Sequence, residues 1–445
     1  MLIALKFGGS SLADAARFKR VKEIADSNPA RRAMAVSAPG KAAPGGSKVT
    51  DLLYLCHAHI KYGADYRPTL YEAERRFSAM ADELKLDADT AGWFAEIRER
   101  VERRPDEDFL VSRGEYICAR LAAAFLGWDF VDAAGAVFFS YDGSVDTERT
   151  YEAIRRAYAA SSGRIVVPGF YGAMPDGEIK LMSRGGSDIT GALLAAALDA
   201  DLYENWTDVP VLLMADPSIV NNPRSIPQIT YNELRALTYM GARVLHDESV
   251  FPARQKNIPI NIRSVREPDD PGTMISDDFG ADTGGHAEDV PGFITGLAGK
   301  KGFSIITIHR DDISGNIGVI REVLELFERR RIKIEGIPSG IDGFSLIVST
   351  EAVKPMLYAL LADIEKLCGP GSASVTGGIA LIAVVGRKMV ESPGISGKLF
   401  GALGKNGVNI RLINQDVNEL RITVGVSDKD FEKAISVLYE SFTGG

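Results

Sequence analysis

The sequence LIALKFGGSSLADAARFKRVKEIAD, residues 2–26, decides the fold of the first part of the chain. An apolar run from Leu2 to Leu5 precedes Lys6 and two glycines, and apolar residues then recur at helical spacing as far as Asp26. This order predicts a buried strand, a glycine turn and a helix. Glycines let backbone N–H groups approach an anion, and both the helix N-terminus and Lys6 add positive charge. The stretch therefore predicts an anion-binding turn, with a purely structural turn as the alternative, although it is neither a Walker loop nor a GxGxxG motif.

The alternation of strand and helix continues along the chain. A strand over residues 32–36 runs into a loop rich in Gly, Pro and Ala that ends at Ser47, and this loop is a candidate lid before a helix that begins near Thr50. Residues 61–126 are predicted to be mostly helical, and further apolar runs alternate with helices at 128–131, 164–168 and 202–206. The pattern predicts an α/β fold with a largely parallel sheet covered on both faces, and catalytic loops at the carboxyl ends of its strands.

The length of the chain and an internal repeat indicate more than one domain. A chain of 445 residues exceeds what one hydrophobic core usually organises, and Asp, Pro and Gly accumulate over 269–285, which places the first boundary at about 285–302. Beyond it, a shift of 76 residues superimposes Gly318 on Gly394 and residues 346–348 on 422–424. Each copy is predicted to fold as strand, loop, helix, strand, strand and helix. Two such copies indicate a pair of regulatory modules rather than a solenoid.

Composition excludes several classes of protein. Hydrophobic residues make up 45% of the chain and charged residues 25%, as in ordinary globular domains, and no apolar run is long enough to span a membrane. A net charge of −9 disfavours nucleic acids and anionic membranes as partners. The three cysteines are far apart, which is typical of reduced core thiols in a cytoplasmic protein. The short N-terminal apolar run does not fit a signal peptide.

Three further clusters carry candidate chemistry. Ser-Arg-Gly-Glu at 112–115 stands at a predicted helix start, where a capping box is the alternative to a functional role. In Ser-Arg-Gly-Gly-Ser-Asp at 183–188, Arg184 is suited to a carboxylate and Asp188 to an ammonium group, which are the two charges of an amino acid. Trp-Thr-Asp-Val at 206–209 ends a predicted strand and is suited either to a nucleotide contact or to a turn.

The spacing of the histidines does not favour a metal site or a histidine general base. His57 and His59 are two residues apart and cannot share a helical face, and the other three histidines have no ligand spacing. We therefore expect no histidine metal site, no metal site built by the protein, and no histidine general base.

Together these clusters resemble the aspartate kinases, members of the amino-acid kinase superfamily that carry paired C-terminal ACT domains. Met-Gly-Ala-Arg-Val-Leu-His at 240–246 adds to the resemblance, which covers nearly the whole chain. It implies a three-layer αβα sandwich with a mainly parallel sheet, the amino-acid kinase fold, followed by two ferredoxin-like βαββαβ ACT domains. The implied domains are residues 1–290 for the kinase, 303–372 for the first ACT domain and 373–445 for the second.

The resemblance also implies an activity and a site. The expected reaction is ATP-dependent phosphorylation of the β-carboxylate of L-aspartate to 4-phospho-L-aspartate, with Mg²⁺, as the first step of lysine, threonine and methionine biosynthesis. The implied catalytic residues are Lys6, Arg184 and Asp188. Those implied to bind the nucleotide are Lys6, Gly8, Gly9, Ser10, Thr207, Asp208, Arg243 and Val244. Those implied to bind aspartate are Ser37, Thr50, Glu115, Arg184 and Asp188.

Regulation and assembly are implied in the same way. In this family the ACT modules bind an end-product amino acid, commonly lysine or threonine, and usually pair between subunits, so a homodimer or larger homo-oligomer is expected. The implied effector residues are Ile313, Asn316, Val319, Ile320, Lys333, Ile334 and Glu335. Two alternatives remain at this point: a kinase of another acidic amino acid, and an amino-acid sensor with weak or no catalysis.

Overall fold

A computed structural model describes residues 1–183, 185–208, 212–242, 247–278, 294–310, 317–389, 392–415, 418 and 420–444, apart from the side chains at 247, 248 and 388. By its contacts the chain divides into two compact units. Unit 1 comprises Met1–Leu212, Pro227–Tyr231 and Val244–Asp282, and unit 2 comprises Leu213–Ile226, Asn232–Arg243 and Thr283–Gly445. Within the described part of the chain, no helix is both long and apolar enough to cross a bilayer.

The centre of unit 1 is an eight-stranded sheet, beside which two further strands form a separate hairpin. The strands are β1 Ile3–Phe7, β2 Arg31–Val36, β3 Asp129–Phe130, β4 Ile165–Pro168, β5 Tyr171–Ala173, β6 Ile179–Leu181, β7 Leu202–Thr207, β8 Gln228–Ile229, β9 Ile260–Ser264 and β10 Thr273–Ile275. The sheet has the order β3-β4-β2-β1-β7-β9-β10-β8, and all neighbouring pairs are parallel except β9 with β10. Strands β5 and β6 form the antiparallel hairpin.

Helices cover this sheet on both faces. They are α1 Ala15–Asp26, α2 Val49–Lys61, α3 Arg67–Glu83, α4 Thr90–Arg103, α5 Glu107–Leu126, α6 Thr147–Ala159, α7 Gly186–Ala197 and α9 Phe251–Gln255. Helix α8, Tyr231–Tyr239, belongs to unit 2 except for its first residue. One hydrophobic core packs α1 to α5 against alternate residues of β1 and β2, including Leu5 and Val36. A second core packs α6 and α7 against the other face, including Ala35 of β2 and Val167 of β4. The three-layer α/β fold expected from the sequence is confirmed.

Local sequence explains where the helices begin. The carboxylates of Asp14, Asp89, Asp106 and Asp146 each accept a hydrogen bond from a backbone N–H in the first turn of the following helix. Because α5 begins at Glu107, the cluster at 112–115 lies inside the helix rather than at its start. The placement at a helix start and the capping-box alternative were both wrong: Ser112 donates instead to the carbonyl of Phe109 at 2.6 Å.

Unit 2 contains a six-stranded antiparallel sheet. Its strands are β11 Gly296–His309, β12 Ile334–Gly336, β13 Gly343–Ser349, β14 Ala373–Val385, β15 Leu412–Gln415 and β16 Arg421–Ser427. They lie in the order β12-β13-β11-β14-β16-β15. The further helices of unit 2 are α10 Ile317–Arg329, α11 Thr350–Val353, α12 Leu357–Cys368, α13 Ile395–Lys405 and α14 Phe431–Thr443. The repeat of strand, helix, two strands and helix is confirmed.

The two repeats share one sheet through a long central pair of strands. Strand β11 pairs with β14 along most of its length, and its second half, from Phe303 to His309, also pairs with β13 on the other side. One strand therefore takes part in both modules and begins before residue 303. The domain boundaries given above stay predictions.

Candidate active site

The glycine turn follows β1 at the carboxyl end of the parallel sheet. Gly9 begins a short 3-10 helix, Gly9–Leu12, and its carbonyl accepts a hydrogen bond from the N–H of Gly40 at 2.7 Å. A Cβ on Gly9 would lie 2.5 Å from the carbonyl oxygen of Ala38, and one on Gly40 would lie 2.8 Å from the backbone of Gly9. Only glycines permit this approach. The turn after β1 is therefore fixed against the loop after β2.

Lys6 and Asp188 form the charged centre of the site. Lys6 Nζ lies 2.8 Å from Asp188 Oδ1, and both side chains are largely buried. The β1 residue is thereby joined to the first turn of α7, whose start at Gly185 adopts a left-handed conformation with φ +80°. Asn205 of β7 completes the group: its amide donates to Asp188 Oδ1 at 2.8 Å and its carbonyl accepts from Lys6 at 3.4 Å. Lys6 of the first sequence cluster and Asp188 of the third thus meet at the end of β1.

Glu115 projects from α5 to the loop after β2. Its Oε1 accepts a hydrogen bond from the N–H of Ala38 at 3.0 Å, whereas its buried Oε2 has no partner among the described residues. Burial raises the pKa of Glu115 to about 8, against the lowering effects of the Ala38 hydrogen bond and the Arg113 guanidinium. A buried carboxyl oxygen without a partner is suited to receive an ammonium group.

The loop between β2 and α2 carries Ser37 at its start and leads to Thr50 in the first turn of α2. Ser37 donates its backbone N–H to the carbonyl of Phe7 at 3.1 Å, which ties the loop to β1. Arg76 of α3 holds the rest of the loop: its guanidinium donates to the carbonyls of Gly40 at 2.6 Å and Ser47 at 2.7 Å. The predicted lid therefore has a definite anchor on α3.

The remaining predicted nucleotide residues lie at two places. Ser10 lies in the 3-10 turn, and Thr207 and Asp208 lie at the end of β7, with Thr207 accepting a backbone hydrogen bond from Val265 at 2.9 Å. Arg184, Arg243 and Val244 lie outside the described residues.

The predicted effector residues of unit 2 divide into apolar and charged members. Val319, Ile320 and Ile334 belong to or pack against the hydrophobic core of the first repeat. Lys333 Nζ lies 3.3 Å from Glu335 Oε1, and Glu335 also accepts a hydrogen bond from the phenol of Tyr239 on α8. Ile313 and Asn316 lie outside the described residues.

Sequence reasoning missed three residues. Asn205 and Arg76 contact residues far away in the chain, and Tyr239 reaches a glutamate 96 positions later. A polar Asn inside a buried strand was a signal for the first, because unpaired amides are rarely buried. No local pattern marks Arg76 or Tyr239.

The chemistry of the described residues suits an anionic substrate more than a resident metal. Among them no group of three or more His, Cys, Asp and Glu side chains is placed to hold a metal ion. The site instead combines the Lys6 ammonium group, backbone N–H groups at a glycine turn, and the carboxyl groups of Asp188 and Glu115, which contact Lys6 of β1 and Ala38 after β2. These groups suit a phosphoryl donor and an amino acid.

The fold and this site define the class of the protein as an amino acid kinase joined to ACT modules. The amino acid kinase family model matches residues 1–264 and an ACT domain model matches residues 382–442. Aspartokinase 3 of Bacillus subtilis is 34% identical over 456 residues, which cover 99% of this chain and 98% of that protein. The chain belongs to the aspartokinase family and is an aspartate kinase.

Two solved structures are similar to the whole chain. The crystal structure of Clostridium acetobutylicum aspartate kinase, described as an allosteric enzyme, has a TM-score of 0.90 and 41% identity, and the match covers 99% of this chain and 100% of that one. Aspartokinase III of E. coli, solved in complex with aspartate and ADP, has a TM-score of 0.74 at 24% identity, with 99% of each chain covered. The second likeness shows the shared fold.

Proposed function

We propose that Lys6, Asp188 and the glycine turn carry out phosphoryl transfer from ATP to the β-carboxylate of L-aspartate, giving 4-phospho-L-aspartate. The observation that carries this assignment is the 2.8 Å ion pair between Lys6 and Asp188 beside the turn at Gly9. Acyl phosphate formation of this kind fits a first step of amino-acid biosynthesis.

The nucleophile needs no protein base. The side-chain carboxyl of aspartate has a pKa of about 4, so it is already an anion at neutral pH. What the enzyme must supply is a way to bring two anions together in line. The absence of a histidine from the proposed set is consistent with this requirement.

Positive charge and backbone N–H groups supply that attraction. Lys6 is fixed beside the turn by Asp188, so its ammonium group is in place before the triphosphate arrives. We assign Lys6, Gly8, Gly9, Ser10, Thr207 and Asp208 to the nucleotide, together with Arg243 and Val244. Mg²⁺ enters with ATP as part of the substrate and neutralises phosphate charge, since it is usually bound through phosphates and water.

The aspartate side of the site is assigned from complementary charges. Glu115 presents a buried carboxyl oxygen without a described partner and is suited to the α-ammonium group. Arg184 is suited to a carboxylate, and Ser37 and Thr50 offer hydroxyl groups from the two ends of the loop that Arg76 anchors. The hydrogen bond from Ala38 to Glu115 and the Gly40–Gly9 contact link this loop to the proposed nucleotide site.

An ADP-release assay with aspartate, glutamate and acetylglutamate, each with ATP and Mg²⁺, tests the substrate. We expect release only with aspartate, and equal or greater release with either of the others would contradict the proposal. Lys6→Ala is expected to lower kcat at least about a hundredfold while changing aspartate affinity, measured by calorimetry, less than about fivefold. Near-normal turnover would remove Lys6 from the mechanism.

Regulation and assembly complete the proposal. We propose that lysine, threonine or both bind the first ACT repeat, with Glu335 receiving the ammonium group and Val319, Ile320, Lys333 and Ile334 nearby, together with Ile313 and Asn316. A homodimer or larger homo-oligomer and a cytoplasmic location stay predictions.

A further inference from the structure

We propose that Asn205 is a positioning residue of this kinase, which holds the carboxylate of Asp188 in place when Lys6 changes partner from Asp188 to the phosphates. The inference rests on the proposed function and deepens it. No motif of the sequence assigned a role to this residue.

The geometry of the three side chains defines the role. Asn205 donates from Nδ2 to Asp188 Oδ1 at 2.8 Å and accepts at Oδ1 from Lys6 Nζ at 3.4 Å. Because an ammonium group only donates and an ionised carboxylate only accepts, the two neighbours fix which way the amide points. The side chain of Asn205 therefore bridges the Asp188 carboxylate and the Lys6 ammonium group with one hydrogen bond to each.

The strand holds Asn205 rigidly. Asn205 is opposite Lys6 on β1 and opposite Ile262 on β9, and only 2% of its surface is exposed. On the other face of the sheet, the carboxylate of Glu204 accepts hydrogen bonds from Nε and Nη2 of Arg31, at 2.8 and 3.0 Å. The Trp206 indole donates to the same carboxylate at 2.8 Å. The residues on both sides of Asn205 are thus fixed independently of the site.

Asp188 needs a second donor because Lys6 is proposed to leave it for the phosphates. When phosphates attract the Lys6 ammonium group, Asp188 loses its cationic partner although only 16% of its side chain is exposed. An unpaired, largely buried carboxylate is costly unless another donor remains. The Asn205 amide supplies that donor and still offers its carbonyl to Lys6. A leucine side chain has nearly the same size but offers neither group, and an aspartate side chain would place a second negative charge beside Asp188.

Two variants and a stability control form the test. Asn205→Leu is expected to lower kcat at least about tenfold, with less than about threefold change in the calorimetric affinity for aspartate. Asn205→Asp is expected to gain activity relative to wild type as the pH falls from about 8 to about 6, because the introduced carboxyl group, once protonated, can again donate to Asp188. Ile262→Val, in the neighbouring strand, reports the effect of a simple loss of packing.

The outcomes separate the inference from the proposed function. Two results together support the positioning role. Asn205→Leu loses more kcat than Ile262→Val at a comparable melting temperature, and Asn205→Asp recovers activity as the pH falls. A kcat of Asn205→Leu within about twofold of wild type, or parallel pH profiles of Asn205→Asp and wild type, overturns it while the wild type remains active. If Asn205→Leu does not fold, the pH profile of Asn205→Asp decides. A wild type without aspartate-dependent ADP release overturns the proposed function, and this inference with it.

Discussion

Glu115 shows how a single residue is tuned by its position. It is buried inside α5, and its pKa of about 8 favours a neutral carboxyl in the unliganded protein near neutral pH. In the unfolded chain a glutamate has a pKa of about 4.3. The folded state therefore binds the proton more tightly, so this residue contributes stability below about pH 4 that is lost as the pH rises toward 8.

Glu115→Gln should remove that pH dependence. We expect the melting temperature of the variant to exceed that of wild type by an amount that grows from about pH 5 to about pH 8. In this range wild-type Glu115 releases a proton on unfolding, which favours the unfolded state as the pH rises, whereas the amide releases none. Scanning fluorimetry over this range without ligand measures the difference. Glu83→Gln, an exposed residue of α3, is the control. Parallel curves for wild type and Glu115→Gln would contradict the assignment of a raised pKa.

At the scale of elements, the loop between β2 and α2 depends on α3 for its place. The two hydrogen bonds from Arg76 reach the carbonyls of Gly40 and Ser47, which bracket the exposed part of the loop. A hydrogen bond from a charged donor contributes about 1.5–3 kcal/mol. Without these bonds, the loop would have to become ordered when aspartate binds, and this cost in conformational entropy would weaken the affinity for aspartate.

Arg76→Ala is therefore expected to raise the KM for aspartate about fivefold or more, while kcat changes less, because the bound loop can still reach the same geometry. Steady-state kinetics of ADP release measures both constants. Arg75→Ala removes the same side chain from the exposed neighbouring position and should leave KM near that of wild type. Equal KM values in the two variants would show that the loop does not depend on Arg76.

Local patterns predicted the elements better than their contacts. The strand, turn and helix of residues 2–26 follow from hydrophobic spacing and two glycines, and the structure has β1, a short 3-10 turn and α1 there. The start of α5 was misplaced because the preceding residues from Glu107 already continue the helix after the Asp106 cap. Asn205 and Arg76 were missed because their partners are distant in the chain, and no local propensity encodes such pairs.

At the scale of the molecule, two segments that precede Asp282 in the chain group with unit 2. These are Leu213–Ile226 and Asn232–Arg243, the second of which contains most of α8. Composition gave no sign of this, since both segments look like ordinary α/β sequence. Their place in unit 2 brings Tyr239 to Glu335. In the sequence, Tyr239 stands four residues before Arg243, which we propose as a nucleotide-binding residue.

The contact between Tyr239 and Glu335 predicts the first structural change on effector binding. The phenol of Tyr239 and the ammonium group of Lys333 now occupy Glu335, and burial together with the hydrogen bond to Glu335 raises the pKa of Tyr239, so the phenol remains a donor. An effector ammonium group bound to Glu335, as proposed above, would compete with this phenol for the carboxylate. Effector binding would then free the end of α8.

Tyr239→Phe removes the competing donor and should lower the effector concentration for half-saturation about tenfold, since a hydrogen bond to a charged group contributes about 1.5–3 kcal/mol. Inhibition should weaken at the same time, because the hydrogen bond that links α8 to Glu335 is absent from the variant. Titrations with lysine and threonine, followed by calorimetry and by ADP release, measure the two effects separately. Tyr358→Phe, on α12 with 87% of the residue exposed, is the matched control. Unchanged affinity in Tyr239→Phe would contradict the competition, whereas a wild type indifferent to both amino acids would contradict the effector assignment itself.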